Sequence, residues 1–319
     1  MDMSGMIADI GGTNIRLALV SEDGGIDNAL ALRCADFPTL AAACEAYLHT
    51  VAPSRHPARA ALAVASPVSG DRIKMTNHVW SFSIEETRRH LGLETLDVIN
   101  DFIAVALAIP HLGPGDVVRI GGGDTNPHAP IGVIGAGTGL GVAALVTTSG
   151  GGRIPLSSEG GHVTMPAFDE REASIIALLR SELGHVSAER VISGPGLINL
   201  YKAIAQLQGN RPDPDITPAA CTARAVAGAC PICVEALDVF CRMLGTIASN
   251  LALTLNAGGG IYVGGGIVPQ LGEAFVRSGF RSRFEDKGRF GPYLNTIPTW
   301  VISRPLPAFV GLAALVRGR

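Results

Sequence analysis

Apolar residues near the start of the chain form two short runs separated by polar residues and glycines. The segment IADIGGTNIRLALV extends from Ile7 to Val20, and its first run ends around Asp9. The second run, residues 15–20, alternates weakly and is β-branched at both ends, which is typical of a strand rather than a helix. Gly11 and Gly12 favour a two-residue turn in which both residues have positive φ. The pattern predicts strand, turn and strand; taken alone, it also fits an ordinary hairpin.

A similar pattern recurs at a constant offset of 126 residues. The stretch GAGTGLGVAALV, residues 135–146, can be laid over residues 9–20 so that Gly137 falls on Gly11. Gly139, Gly141 and Ala144 also fit the dinucleotide-binding pattern G-x-G-x-x-A, but that pattern requires a helix to follow. Residues 142–147 are short and apolar, so we expect a strand there. Two such turns in register predict a chain built of two related halves.

Further strands and helices alternate in both halves, which predicts an α/β architecture. Strands are expected at residues 60–68, 71–77, 96–101 and 261–267, and helices after Asp101, over 234–255 and from Val268. The Gly- and Pro-rich stretch at 111–130 is the best candidate for a domain boundary.

Composition limits the classes of function. The chain has 319 residues, 47% of them hydrophobic, and a net charge of -3, so it can build a large core and has no basic footprint for nucleic acid. No apolar run reaches membrane-spanning length, and residues 1–6 do not resemble a signal peptide. We therefore expect a soluble, cytoplasmic protein.

Four of the six cysteines lie close together in the sequence, at Cys221, Cys230, Cys233 and Cys241. Such spacing can bind zinc. The spacing is irregular, however, and Cys233 and Cys241 fall in an apolar helical pattern where cysteine behaves as a small hydrophobic residue. We interpret these cysteines as structural or incidental.

Seven segments spread in order over nearly the whole chain resemble those of bacterial glucokinases, which belong to the hexokinase–actin–heat-shock-ATPase superfamily. They are DIGGTN (9–14), VINDF (98–102), GAGTGLG (135–141), SSEGGH (157–162), ERVISGPGL (189–197), YVGGGI (262–267) and RFEDKGRF (283–290). The resemblance implies an α/β, two-domain, actin-like ATPase (ribonuclease H-like) fold with a duplicated sheet core and an interdomain cleft. It implies a small N-terminal domain, 1–112, completed by a C-terminal helix at 305–319, and a large domain, 113–304.

The resemblance also implies the reaction, which is ATP-dependent phosphorylation of D-glucose at its 6-hydroxyl as the first step of glycolysis, and it implies a homodimer. Asp101 matches the catalytic base and Asn100 a sugar ligand; Glu159, His162 and Glu189 match further sugar ligands. From its position alone, Asp101 is predicted to be a helix N-cap, and we expect the helix dipole to help keep it ionised.

Nucleotide-binding residues are expected at the glycine-rich turns, because glycine lets backbone amides approach an anion closely. They are Ala8, Asp9, Ile10, Gly11, Gly12, Thr13 and Asn14, then Gly137, Thr138 and Gly139, and finally Gly264, Gly265 and Gly266. Asp9 is the candidate ligand for Mg²⁺, which prefers oxygen ligands and keeps several waters.

Three other functions fit parts of the sequence. A kinase for another hexose or an N-acetyl amino sugar would share the fold. A sugar-sensing transcriptional regulator would need a DNA-binding domain, which is not expected because the first strand begins at about Met6. A chaperone-like ATPase would lack the ND and EGGH sugar ligands.

Overall fold

The computed structural model describes residues 3–53, 56–148 and 150–318, which divide into two compact units. The first unit comprises Met1–Gly113 with Arg304–Arg319, and the second comprises Pro114–Ser303. Within the described residues no helix is long and apolar enough to cross a membrane.

The first unit is built on a five-stranded sheet. Its strands and helices are β1 (Met3–Ile10), β2 (Asn14–Ser21), β3 (Ile26–Arg33), α1 (Leu40–Val51), β4 (Arg59–Val64), β5 (Arg72–Lys74), β6 (Ser81–Ser83), α2 (Ile84–His90), β7 (Thr95–Asn100) and α3 (Asp101–Ala108). The sheet order is β3-β2-β1-β4-β7, with β5 and β6 forming a separate two-stranded sheet. The β1–β2 and β2–β3 pairs are antiparallel, whereas β1–β4 and β4–β7 are parallel.

The second unit repeats this arrangement. Its elements are β8 (Val117–Gly121), β9 (Ile131–Ala136), β10 (Leu140–Thr147), β11 (Arg153–Ser158), α4 (Glu170–Leu183), α5 (Gly194–Leu207), α6 (Pro218–Val226), α7 (Pro231–Leu255), β12 (Ile261–Gly264), α8 (Val268–Leu271), α9 (Glu273–Val276), α10 (Phe280–Glu285), α11 (Gly291–Thr296) and β13 (Thr299–Ile302). The sheet order is β11-β10-β9-β12-β13-β8. Its first five strands match the first sheet in order and direction, and β8 adds an antiparallel edge. The predicted duplicated α/β core is confirmed.

The last helix, α12 (Pro307–Arg317), belongs to the first unit. It packs against α3, β1 and β4, where small residues such as Ala61 and Ala63 face it from the sheet. A Cβ at Gly311 would stand 1.9 Å from the Ala104 carbonyl oxygen, so only glycine permits this close helix crossing.

The first hairpin forms as predicted, but its turn differs from the expected two-residue turn. Pairing ends at Ile10–Ile15, which leaves four residues in the loop, and the Gly11 N–H donates to the Asn14 carbonyl at 3.0 Å. Neither Gly11 nor Gly12 has positive φ. Glycine is needed for another reason, since a Cβ at Gly12 would lie 2.8 Å from both the Cβ and the carbonyl oxygen of Asn77.

Candidate active site

The end of β7 and the start of α3 place Asn100 and Asp101 side by side. Asn100 is the N-cap of α3, and its Oδ1 accepts the Phe102 N–H at 3.0 Å. Its Nδ2 donates to the Ser66 carbonyl at 3.4 Å. Asp101 is the first helical residue, and its Oδ1 accepts the same N–H at 3.0 Å. The N-cap role that position alone assigned to Asp101 is therefore taken by Asn100.

Burial makes Asp101 harder to ionise than an ordinary aspartate. It raises the pKa of Asp101 to about 6, and the negative charge of Asp9 adds to the rise. Hydrogen bonds from the helix start oppose this change but do not cancel it. The start of the helix therefore favours the ionised form, as expected, but burial has the larger effect on the pKa of Asp101.

Asp9 lies near the end of β1 within the same group of side chains. Burial raises its pKa as well, and Arg16, whose Nη1 is 3.9 Å from Oδ2, only partly opposes the rise. The flanking side chains of Ala8 and Ile10 are fully buried in the core, so these two residues can offer a ligand only their backbone. The Thr13 carbonyl accepts the Cys34 N–H at 2.9 Å, which holds the loop after Gly12 in place.

In the second unit the corresponding turn is one residue shorter. Pairing ends at Ala136–Leu140, and the Gly137 N–H donates to the Gly139 carbonyl at 2.8 Å. The Gly137 carbonyl accepts the N–H of Gly194, the first residue of α5, at 2.8 Å. The turn therefore lies at the N-terminus of a 14-residue helix, where backbone N–H groups favour an anion.

The glycines after β12 lie directly against this turn. The Ile267 N–H donates to the Ala136 carbonyl at 3.1 Å. Gly265 has φ +84°, and a Cβ there would stand 2.3 Å from the same carbonyl oxygen. Residue 265 must therefore be glycine for two independent reasons. The predicted nucleotide segments 137–139 and 264–266 are thus brought together.

The three predicted sugar ligands of the second unit meet around Leu140. Glu189 Oε2 accepts the Leu140 N–H at 2.9 Å, and a Cβ at Gly139 would come within 2.5 Å of that oxygen. A Cβ at Gly161 would stand 2.0 Å from the Leu140 carbonyl, so the loop from Glu159 to His162 also packs here. Within that loop, His162 Nε2 lies 3.9 Å from Glu159 Oε2, and both side chains are exposed.

Each unit therefore gathers its own set of predicted residues. The first unit brings together Asp9, Asn100, Asp101 and the loop after β1, and the second collects Glu189, the Glu159–His162 loop and both glycine turns. Sequence reasoning missed Ser66 and Asn77, which border the first set. Ser66 follows β4, a parallel strand between β1 and β7, so adjacency of strand ends was the signal that could have found it.

The acidic set of the first unit suits a hydrated divalent cation. Within residues 3–53, 56–148 and 150–318, no group of three or more His, Cys, Asp or Glu side chains is placed to hold a metal ion. Mg²⁺ needs only one or two carboxylates when phosphate oxygens and waters complete its shell. Asp9, partly buried beside a second carboxylate and weakly paired with Arg16, offers that kind of ligand.

Comparison with known proteins shows the family of this chain. A family model described as Glucokinase matches residues 6–319. The chain belongs to the glucokinase family. It is 53% identical over 311 residues to a glucokinase of Paramagnetospirillum magneticum, covering 98% of this chain and 97% of the relative. It is 51% identical over 309 residues to a glucokinase of Aromatoleum aromaticum, covering 97% and 93%.

Solved structures support the same family and fold. A glucokinase from an Antarctic psychrotroph aligns over 100% of both chains with a TM-score of 0.90 and 37% identity. A Streptomyces griseus glucokinase of the ROK family, solved with glucose and AMPPNP, covers 99% of both chains with a TM-score of 0.67 and 22% identity. Because its identity to this chain is only 22%, the Streptomyces griseus match shows the fold alone, which is a two-domain, actin-like ATPase fold.

Proposed function

We infer that the protein transfers the γ-phosphoryl group of ATP to the 6-hydroxyl of D-glucose, giving glucose 6-phosphate and ADP. The observation that carries this inference is the partly buried Asp101 carboxylate at the start of α3, near a second carboxylate, Asp9, in a chain that matches the glucokinase family over residues 6–319. A sugar hydroxyl needs such a carboxylate to orient it and to accept its proton as it attacks phosphorus.

Asp101 is the proposed catalytic base. Its Oδ1 accepts the Phe102 N–H, and its other oxygen, Oδ2, is the one proposed to accept the 6-hydroxyl proton. With a pKa of about 6 in the free protein, the carboxylate is ionised at neutral pH yet is a stronger base than an ordinary aspartate. The proton leaves the hydroxyl oxygen for the Asp101 carboxylate as that oxygen bonds to the γ-phosphorus and ADP departs.

Asn100, Glu159, His162 and Glu189 are the proposed sugar ligands. A sugar is recognised by fixed donors and acceptors, because a missing partner leaves a buried polar group unpaired. Glu189 is held by the Leu140 N–H at 2.9 Å through Oε2, so its Oε1 can accept a hydroxyl in a fixed orientation. Asn100 is likewise held through both ends of its amide by Phe102 and Ser66.

The glycine turns are proposed to bind the nucleotide, with residues 8–14 and 137–139 at the phosphates and 264–266 at the adenosine. Asp9 would hold Mg²⁺, through water or directly, with phosphate oxygens as the other ligands. The ion supplies neutralisation of phosphate charge. We also propose, from the family resemblance, that the protein is cytoplasmic and forms a homodimer. Light scattering of the purified protein tests the dimer.

One assay tests the reaction. Purified protein with Mg-ATP is given glucose, mannose, fructose or N-acetylglucosamine at equal concentration, and ADP release is followed. We expect glucose to give the highest kcat/KM, its product to be glucose 6-phosphate, and excess EDTA to stop turnover until magnesium is restored. A preference for N-acetylglucosamine would favour the amino-sugar kinase instead. Full activity in EDTA, or a preference for polyphosphate over ATP, would contradict the assigned donor.

A further inference from the structure

Three sulfur atoms meet where α6 and α7 approach each other, in the second unit. Cys230 is the N-cap of the 25-residue helix α7, and Cys233 is the third residue of that helix. Cys221 lies in α6. The thiols of Cys230 and Cys221 are near enough to the Cys233 thiol to raise its pKa. All three are free thiols, and Cys230 alone among them is only half-buried.

The position of Cys230 makes it the nucleophile of the group. Burial raises its pKa, but the backbone N–H groups of Cys233 and Ile232 and the Cys233 thiol outweigh this, so the pKa of Cys230 lies below that of an ordinary cysteine. Thiolates rather than thiols react with disulfides, and a helix N-terminus is where thiolates are favoured. Arg224 contributes positive charge nearby.

Cys233 has the opposite character. Burial and the neighbouring Cys230 raise its pKa well above the usual range, so it stays protonated while Cys230 is reduced. An accessible low-pKa thiol three residues before a buried high-pKa thiol, across one helical turn, is the arrangement needed for an attacking and a resolving cysteine. The remaining cysteines differ: Cys34, Cys44 and Cys241 are buried, and burial raises the pKa of each.

We propose that Cys230 and Cys233 form a reversible disulfide, which makes the start of α7 a redox-sensitive modification site. Packing alone would not account for a reactive thiol left half-exposed at a helix end. In the part of the chain that the structure describes, no set of three or more His, Cys, Asp or Glu side chains is placed to hold a metal ion.

The oxidant is a low-molecular-weight disulfide such as oxidised glutathione. The Cys230 thiolate attacks one sulfur of that disulfide, its S–S bond breaks, and one glutathione thiolate leaves and takes up a proton. The Cys233 thiol then loses its proton and attacks the Cys230 sulfur, which releases the second glutathione as a thiol. Two protein thiols lose two electrons in total, and one glutathione disulfide becomes two thiols.

The full-length protein is equilibrated in glutathione buffers of increasing oxidised fraction, quenched with acid, alkylated and analysed by intact mass and peptide mapping. We expect one disulfide per chain, a mass loss of about two daltons before alkylation, mapped to Cys230–Cys233 and reversed by dithiothreitol. In Cys233→Ser the mixed disulfide should accumulate as one glutathione on Cys230. Cys230→Ser should not oxidise, and Cys241→Ser, on the same helix, should behave as the unmodified protein.

Three results would overturn the proposal. One is a stable single glutathione on Cys230 of the unmodified protein without an internal disulfide. Another is a disulfide that still forms in Cys230→Ser, which would pair Cys221 with Cys233. The third is one tightly held zinc per purified chain that is lost in Cys230→Ser, which would make the cluster a metal site. Far-ultraviolet circular dichroism of each variant verifies that the fold is intact.

Discussion

Glu172 in the second unit and Asp101 in the first are both carboxylates withdrawn from water, but their surroundings differ. Glu172 accepts Arg283 Nη1 at 2.6 Å through one oxygen and the Phe168 N–H at 2.9 Å through the other. Asp101 receives hydrogen bonds from uncharged groups at the start of α3, and its charged neighbour, Asp9, is also negative. A buried charge without a partner costs stability. Glu172 is paired with a cation, whereas Asp101 is bonded to neutral groups, as expected if Asp101 serves a ligand rather than the fold.

The largest expected effect of changing either carboxylate is the loss of catalysis when Asp101 is replaced. Asp101→Asn should lower kcat by about a hundredfold to ten-thousandfold, because an amide cannot accept the hydroxyl proton. Glucose affinity, measured by calorimetry, should largely remain, since Asn100, Glu159, His162 and Glu189 are unchanged. Asp36→Asn, at an exposed position of the same unit, is the matched control. A folded, glucose-binding Asp101→Asn variant with near-normal turnover would defeat the proposed mechanism.

A smaller but still large effect is expected on stability when the same change is made at the satisfied carboxylate. Glu172→Gln leaves the Arg283 guanidinium, whose side chain is 4% exposed, without its main partner. Breaking one partner of a buried pair costs about 3–5 kcal/mol. Asp169, 3.6 Å from Arg283 and 46% exposed, should replace little of this. Chemical denaturation measures the change in unfolding free energy.

The control for that variant is Asp238→Asn. Asp238 pairs with Arg242 at 2.8 Å on the surface of α7, and its side chain is 42% exposed. Exposed pairs of this kind contribute at most about 1 kcal/mol. If the two variants lost equal stability, the distinction between a satisfied buried carboxylate and an ordinary surface one would not hold.

The sequence predicted the strands and helices of both units better than it predicted the surroundings of individual side chains. The hairpins could be found because alternation and glycines are local signals, and the helix after Gly266 followed from the same reasoning. The glycines lie in the turns where they were predicted, but the reason expected for Gly12 was wrong. Asn77, which is distant in the sequence, leaves no room for a side chain at residue 12. The alignment of the two hairpins at an offset of 126 residues also conceals a difference. Asp9 corresponds to Gly135, where a Cβ would stand 2.7 Å from the Gly264 carbonyl carbon.

The chemistry of individual side chains depended on such distant contacts. Asparagine and aspartate cap helices about equally well, so residues 100 and 101 could not be told apart from sequence. The raised pKa of Asp101 depends on burial and on Asp9, which lies on a strand far away in the chain. Likewise, no local pattern indicates that Glu189 accepts the Leu140 N–H. Tertiary neighbours determine these properties, and only the family resemblance indicated the residues.

The smallest of the three effects is a pH-dependent gain in the stability of Asp101→Asn, which is opposite in sign to the loss expected for Glu172→Gln. The pKa of Asp101 is about 6 in the folded protein and near 3.8 when unfolded, so the folded state holds its proton more tightly. This contribution is present in full below about pH 4 and is lost as pH rises through 6. Relative to the unmodified protein, Asp101→Asn should therefore gain stability between pH 4 and 7, by at most about 3 kcal/mol. Denaturation without glucose and with EDTA measures it. A pH-independent difference for Asp101→Asn would mean that Asp101 is not the strained carboxylate that sets this unit apart.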